Sequence, residues 1–283
     1  MGSAEYRHKA ETASSRNFRR VALISGASSG VGLALARECA AHGHAVVLIA
    51  RGAERLEAAA RAIRSEHAVQ VQTLQLDVTS PEAADEIARF LSEHGLAVEL
   101  LINNAAEWSD GTVASVAPGE AERLVRSNIG AVAEITRALL PFMGRRARIL
   151  VVGSLAGELP APGNALYSAT KSFLKTWTLS LRHELRRAGI SVSLLLPGAV
   201  DTSFTSSSAS EEWQVARRLV ASPPSAVAWC AYRGLMAGSA VIVPGLVNRT
   251  LYFGMRVLPS QLLLRARALG TLNPVVQGTG EAS

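Results

Sequence analysis

Ser154, Tyr167 and Lys171 are the residues of this sequence whose types and spacing carry chemistry most directly. Tyr167 opens the run Tyr-Ser-Ala-Thr-Lys, which puts Lys171 at i+4 on the same helical face, and Ser154 follows an apolar run thirteen residues before the tyrosine. A phenol titrates near pH 10, so giving a proton to a carbonyl oxygen, or taking one from an alcohol, requires its phenolate to be stabilised. A neighbouring ammonium can do this, and a pKa lowered by roughly three corresponds to about 4 kcal/mol. Lysine is scarce, with only Lys9, Lys171 and Lys175 against 26 arginines, which favours an ammonium-specific role at Lys171. Ser154 can hydrogen-bond the reacting oxygen and polarise it. Taken singly, a Tyr/Lys pair is also found on solvated helix faces, and Ser154 is an ordinary loop residue.

A second group of residues is suited to phosphate. The first apolar run leads into Ser25-Gly26-Ala27-Ser28-Ser29-Gly30-Val31-Gly32, and a helix begins within that turn. Gly26 permits a tight bend, Gly30 a close backbone approach to a pyrophosphate, and Gly32 close packing of helix against strand. Amides at the positive helix end then favour phosphate oxygens, although the same glycines also suit a plain structural turn. Dinucleotide sites that select NAD place an acid near the end of the second strand. Here that place holds Ala50-Arg51-Gly52. A guanidinium can pair with a 2′-phosphate, so NADP is expected over NAD; the alternatives are a solvated Arg51 or one stacked on adenine.

The elements that must position these groups are legible as alternating patterns. Apolar runs at 21–25, 45–50, 69–76, 98–103, 148–153, 191–196 and 240–243 are candidate strands. Segments 30–42, 54–67, 81–94, 120–143 and 165–187 have helical period and length. Ser80-Pro81 is expected to cap and open the third helix, and Gly43 and Gly95 to end the first and third. Runs such as Leu-Leu-Ile at 100–102 and Ile-Leu-Val-Val at 149–152 need cover on both faces. The expected fold is α/β: one Rossmann-type doubly wound parallel sheet of about seven strands, flanked by helices, with ligands beyond the carboxyl ends of the strands. The expected division is a disordered tail over 1–17, a catalytic domain over 18–244 and a C-terminal helical extension over 245–283.

Composition excludes several other classes. The 283 residues are 48% hydrophobic and 18% charged, enough apolar material for a sizeable core. The formal charge of +6 resides in the two ends: residues 1–20 and 245–283 each carry +3, and residues 21–244 are neutral. No electrostatic footprint for nucleic acid covers the main body. Cys39 and Cys230 lack disulfide or zinc spacing and read as reduced thiols, so no metal is expected. The start of the chain lacks the apolar core of a secretory signal, and the uncharged run at 234–248 is too short for a membrane span. A cytoplasmic location is expected.

Together the motifs resemble the short-chain dehydrogenase/reductase family over about residues 20–245, with Ser25 where threonine is usual. The resemblance extends through Asp77, Asn103-Asn104-Ala105, Asn128, Ser154, Tyr167, Lys171 and Pro197-Gly198-Ala199-Val200-Asp201-Thr202. It implies that Tyr167 is the general acid/base, that Lys171 holds the nicotinamide ribose and lowers the tyrosine pKa, that Ser154 orients substrate, and that Asn128 supports a water-linked proton relay. Cofactor contacts are implied for Ser25, Gly26, Ser28, Ser29, Gly30, Val31 and Gly32. They are implied also for Arg51, for Asp77 and Val78 near adenine, for Asn104 and Ala105, and for Pro197, Gly198, Val200 and Thr202 near nicotinamide. Read alone, Asn128 could bond backbone within its helix and Asp77 could cap a turn. Ala106 stands where the family usually has glycine, which leaves that loop's geometry open.

The Ser- and Thr-rich segment 202–210 is expected to be a mobile substrate lid. Trp108, Leu155, Leu159, Phe204 and Trp213 can wall an apolar pocket, or be ordinary core. The expected reaction is hydride transfer between NADPH and a carbonyl or secondary alcohol of a bulky hydrophobic molecule. A catalytically vestigial NADP-binding regulatory protein and a membrane-associated lipid or steroid reductase are the alternatives. Phe173 and Trp177, four apart on the tyrosine helix, form an apolar stripe that fits the homodimers or homotetramers the resemblance implies, or else interior packing. Residues 246–269 combine apolar side chains with four arginines and are divided by Pro259; they can contact an anionic membrane, cover the pocket or form an interface.

Overall fold

The computed structural model describes residues 18–109, 111–201 and 221–257. The apolar runs form seven strands: β1 Arg19–Ser25, β2 Ala45–Ala50, β3 Val71–Gln75, β4 Leu96–Asn103, β5 Arg148–Val152, β6 Ser191–Leu195 and β7 Val241–Ile242. Adjacent strands pair in parallel in the order β3-β2-β1-β4-β5-β6-β7. The helices among the described residues are α1 Gly30–Ala41, α2 Ala53–Glu66, α3 Ala83–Glu93, α4 Glu120–Val125, α5 Ala131–Leu139, α6 Ala165–Leu185, α7 Pro224–Met236 and α8 Leu246–Val257.

Successive side chains of a strand point to opposite faces, so each strand feeds two cores. From β1, Ala22 and Ile24 join Leu35 and Cys39 of α1, Leu56 and Ile63 of α2, and Ala231 and Leu235 of α7. Val21 and Leu23 join Ile87 and Leu91 of α3, Ile135 of α5 and Leu174 of α6. This is the doubly wound sheet expected from unbroken apolar strands. The chain builds outward from β1 in one direction and from β4 in the other, and the change of direction opens a crevice beyond the carboxyl ends of these two strands.

Gly43 (φ +83°) and Gly95 (φ +60°) end α1 and α3 as expected, in the left-handed conformation that glycine adopts without strain. Ser80 and Pro81 do not cap and open the third helix, which begins at Ala83. The Ser80 hydroxyl instead donates to the Glu82 carboxylate at 2.7 Å and accepts from the Glu82 amide at 3.3 Å, closing a turn before the helix. The single helix expected over 120–143 is interrupted by a π-helical turn at Arg126–Gly130, and Leu140–Phe142 tightens into a 3-10 turn. Helix α7 lies outside the segments with clear helical period, and it contains Gly234. A Cβ there would lie 2.6 Å from the Ile242 side chain, so the glycine lets β7 approach the helix.

Cys39 is a buried free thiol whose pKa burial pushes up to about 12, and Cys230 is also free. Trp177 packs against the second core, whereas Phe173 is exposed. Tyr252 anchors α8 against Leu155, Leu194, Leu196 and Val243. The opposite side of α8 exposes Leu246, Val247, Leu251, Phe253 and Val257. Among the described residues no helix is long and apolar enough to cross a membrane, and no cluster could hold a metal ion. The tail over 1–17, the lid over 202–210, Phe204, Trp213 and the chain beyond Pro259 lie outside the described residues.

Candidate active site

The first two turns of α6 carry Tyr167 and Lys171 inward, both buried. The Lys171 ammonium lies 5.6 Å from the centroid of the Tyr167 ring and donates at 3.1 Å to the Val152 carbonyl at the end of β5. Ser154 follows β5 and caps a 3-10 turn, Leu155–Glu158, accepting from the Ala156 amide at 3.1 Å. Gly157 allows this turn to lie directly on α6: a Cβ at 157 would stand 2.6 Å from the Lys171 backbone carbon. Ser172 holds the contact by donating to the Gly157 carbonyl at 2.6 Å. The turn thus brings the Ser154 hydroxyl into hydrogen-bond contact with the Tyr167 phenol.

The electrostatics differ from the expectation of a phenol lowered by its lysine. Burial pushes Tyr167 up to about 12, and the Ser154 hydrogen bond opposes that rise only in part. Burial likewise pushes Lys171 down to about 8. Both charged forms lose hydration, and the neighbours the ammonium finds are the Val152 carbonyl and the tyrosine ring. At neutral pH the protein's own groups therefore hold a protonated phenol beside a largely protonated lysine.

The π turn places Asn128 fully inside the fold. Its side-chain Oδ1 accepts from the Glu107 amide at 2.8 Å, and Nδ2 donates to the Glu107 carbonyl at 3.0 Å and to Thr170 Oγ1 at 3.1 Å. Thr170 in turn donates to the Tyr167 carbonyl at 2.8 Å. The Asn128 amide thus ties the loop after β4 to the helix carrying the tyrosine. Trp108, the next residue in that loop, stacks at a tilt against Tyr167 with ring centroids 4.4 Å apart. Leu155, another expected pocket residue, belongs to the core beneath α8.

At the glycine turn, Gly26 and Gly30 both have positive φ, +66° and +56°. Asn104 Nδ2 donates to the Ser25 and Gly26 carbonyls at 3.0 and 3.2 Å, while Ser25 Oγ accepts from the Asn104 and Ala105 amides at 3.0 Å each. The Ser25 hydroxyl therefore fastens the turn to the loop after β4. A Cβ on Gly32 would collide with the Gly26 carbonyl and the Asn104 side chain, which is why the turn closes so tightly. Ser29 precedes α1 without making a side-chain cap, and no acidic residue occupies the first turn. An uncompensated helix N-terminus, a backbone made approachable by glycine and the exposed Arg51 guanidinium form a donor set that fits a dinucleotide phosphate chain.

Asp77 both opens a turn and faces Arg51. Its Oδ1 accepts from the Thr79 amide and hydroxyl at 2.9 and 2.8 Å, and Oδ2 lies 3.9 Å from Arg51 Nη1. Burial raises its pKa, but the two Thr79 hydrogen bonds and Arg51 outweigh this and leave it lowered. Across the crevice, the Pro197 carbonyl accepts from the Leu155 amide at 3.1 Å, Gly198 lies against Asn248 of α8, and Val200 bridges to Ser222. Val78 follows Asp77 within the same turn, and Thr202 lies outside the described residues. Sequence patterns did not single out Glu107, Thr170 or Gly157; the only local signal for Glu107 is an acid directly after Asn-Asn-Ala-Ala.

A family model described as short chain dehydrogenase matches residues 20–213. Sulfoacetaldehyde reductase from Chromohalobacter salexigens is 36% identical over 193 residues, covering 64% of this chain and 73% of that protein. Very-long-chain 3-oxoacyl-CoA reductase from Aspergillus clavatus is 35% identical over 178 residues, covering 62% of this chain and 52% of that protein. Among solved structures, a short-chain dehydrogenase from Sphingobium yanoikuyae in complex with NADPH superposes with a TM-score of 0.71 at 29% identity, covering 92% and 98% of the two chains.

Proposed function

The chain belongs to the short-chain dehydrogenase family, and from that premise we propose that it is an NADPH-dependent reductase of bulky hydrophobic ketones. Membership makes it a dehydrogenase/reductase acting on the CH–OH/C=O pair. The observation that carries the reading is the Ser154–Tyr167–Lys171 group, its tyrosine and lysine buried and its serine partly so, set where β5 gives way to the loop facing the crevice.

NADPH, when bound, supplies the hydrogen and electron pair that the carbonyl carbon receives. The amides of the glycine turn and the N-terminus of α1 would hold its pyrophosphate, Arg51 its 2′-phosphate, and Lys171 its nicotinamide ribose. Tyr167 gives its hydroxyl proton to the carbonyl oxygen, and Ser154 hydrogen-bonds that oxygen so that it lies beside the phenol. A pKa pushed up to about 12 keeps the phenol in its proton-donating form. The Lys171 ammonium limits the cost of the phenolate left behind. Trp108, stacked on Tyr167, offers an apolar wall for the substrate.

Reaction of the full chain with NADPH and a panel of bulky aryl and alkyl ketones, followed by loss of the reduced-nicotinamide absorbance, tests the reading. Turnover of at least one hydrophobic class with NADPH in preference to NADH is expected. Tight NADPH binding without turnover of any class would favour a regulatory role instead. Peripheral contact with an anionic lipid surface is a second part of the proposal, supported by the exposed apolar side of α8 beside Arg249 and Arg256.

A further inference from the structure

Glu107 belongs to none of the motifs above, yet it occupies the mouth of the crevice. Its backbone is clasped on both sides by Asn128, at 2.8 Å through its amide and 3.0 Å through its carbonyl, which fixes where its side chain starts. The side chain is only 11% exposed, whereas Arg51 is 64% exposed. Glu107 Oε1 accepts from Arg51 Nη1 at 3.2 Å. Its Oε2 lies 3.2 Å from Arg123 Nη1 without the alignment of a hydrogen bond.

Strands β2 and β4 flank β1 in the sheet. Arg51 follows β2 and Glu107 follows the end of β4, so their contact joins the two lips of the crevice beyond the carboxyl end of β1, where the glycine turn lies. With Asp77 also beside Arg51, two arginines and two carboxylates form a cluster without net charge. Strong recognition of a phosphate needs guanidinium nitrogens free for charge-assisted, preferably bidentate, hydrogen bonds. One of these nitrogens already faces a carboxylate.

We infer that Glu107 is a specificity-determining residue whose carboxylate competes with the cofactor's 2′-phosphate for Arg51 and so sets how far NADPH is preferred over NADH. This rests on the NADP reading above. NADH carries no 2′-phosphate and makes no demand on the guanidinium, so the competition falls on NADPH alone. Arg123 moderates it by drawing the other carboxylate oxygen the opposite way. The Arg51 side of the pair is exposed and screened by solvent, which limits the effect to a few-fold.

The test is titration of the full chain with NADPH and with NADH, read by nicotinamide fluorescence. Glu107→Gln should lower the Kd for NADPH about two- to fivefold and leave that for NADH unchanged. The gain should vanish in the Arg51→Gln/Glu107→Gln double variant, because the competition acts through Arg51. Arg123→Gln, which leaves Glu107 to hold Arg51 alone, should shift NADPH binding the other way and gives an answer even if Glu107→Gln folds poorly. Equal gains for NADPH and NADH, a gain that persists without Arg51, or tighter NADPH binding in Arg123→Gln would overturn the proposal. If Arg51→Gln alone leaves NADPH binding unchanged, the NADP reading itself fails and this inference with it; if Arg51→Gln weakens NADPH while Glu107→Gln and Arg123→Gln change nothing, only the inference fails.

Discussion

At the scale of single residues, the spacing of Tyr167 and Lys171 is legible because i and i+4 share a helical face, but their electrostatics are not. Burial is a tertiary property, and it moves the phenol and the ammonium toward their neutral forms. The consequence for stability is testable. A lysine lowered from 10.5 to about 8 binds fewer protons folded than unfolded between those values, so its charge destabilises the fold below about pH 8 and the penalty disappears as pH rises to 10.5. Burial alone amounts to about 3 kcal/mol at pH 7, and Lys171→Met would recover only part of it, about 1–2 kcal/mol, because the Val152 carbonyl loses its donor. Urea unfolding at pH 7 and pH 10 should show Lys171→Met more stable than the parent at the lower pH, with the advantage shrinking at the higher. An advantage that grows with pH would contradict the assignment of the shift to burial. Glu107 was illegible for a different reason: its partners Arg51 and Arg123 come from separate elements, and only the sheet order brings them together.

At the scale of elements, apolar runs without polar alternation mark the sheet well, and their ends lie within a few residues of the expected ones. The departures have different causes, one tertiary and one local. Gly234 sits inside α7, where Ile242 needs the space, whereas Ser80 bonds Glu82 two residues on rather than capping α3. The π turn that buries Asn128 has no recognised sequence mark in the helix expected over 120–143. For α8 the pattern is informative about the surface: Tyr252 holds one side to the core while Leu251 and Phe253 are 53% and 64% exposed. If that side meets anionic lipid, the full chain should sediment with vesicles containing phosphatidylserine, and Leu251→Asp with Phe253→Asp should abolish this without changing thermal stability. Absence of sedimentation, or sedimentation indifferent to both substitutions, would remove the membrane contact.

At the scale of the whole molecule, a sheet whose order changes direction between β1 and β4 sets the glycine turn beside the loop after β4, which bonds that turn through Asn104 and meets Tyr167 through Trp108. The fold class and the main site groups were readable from the chain because each depends on local periodicity or on short spacings. The polar ties among them, Asn104 to the glycine turn and Asn128 to Thr170, depend on the finished fold. In the proposed reaction the buried Tyr167 hydroxyl supplies the proton to the carbonyl oxygen. This proton transfer is tested most directly by comparing the parent protein with Tyr167→Phe, measuring NADPH affinity by fluorescence and kcat by cofactor consumption on the same ketone. NADPH affinity should stay within about twofold of the parent and kcat should fall by about 10²- to 10⁴-fold. An undiminished kcat in Tyr167→Phe would contradict that role of the phenol.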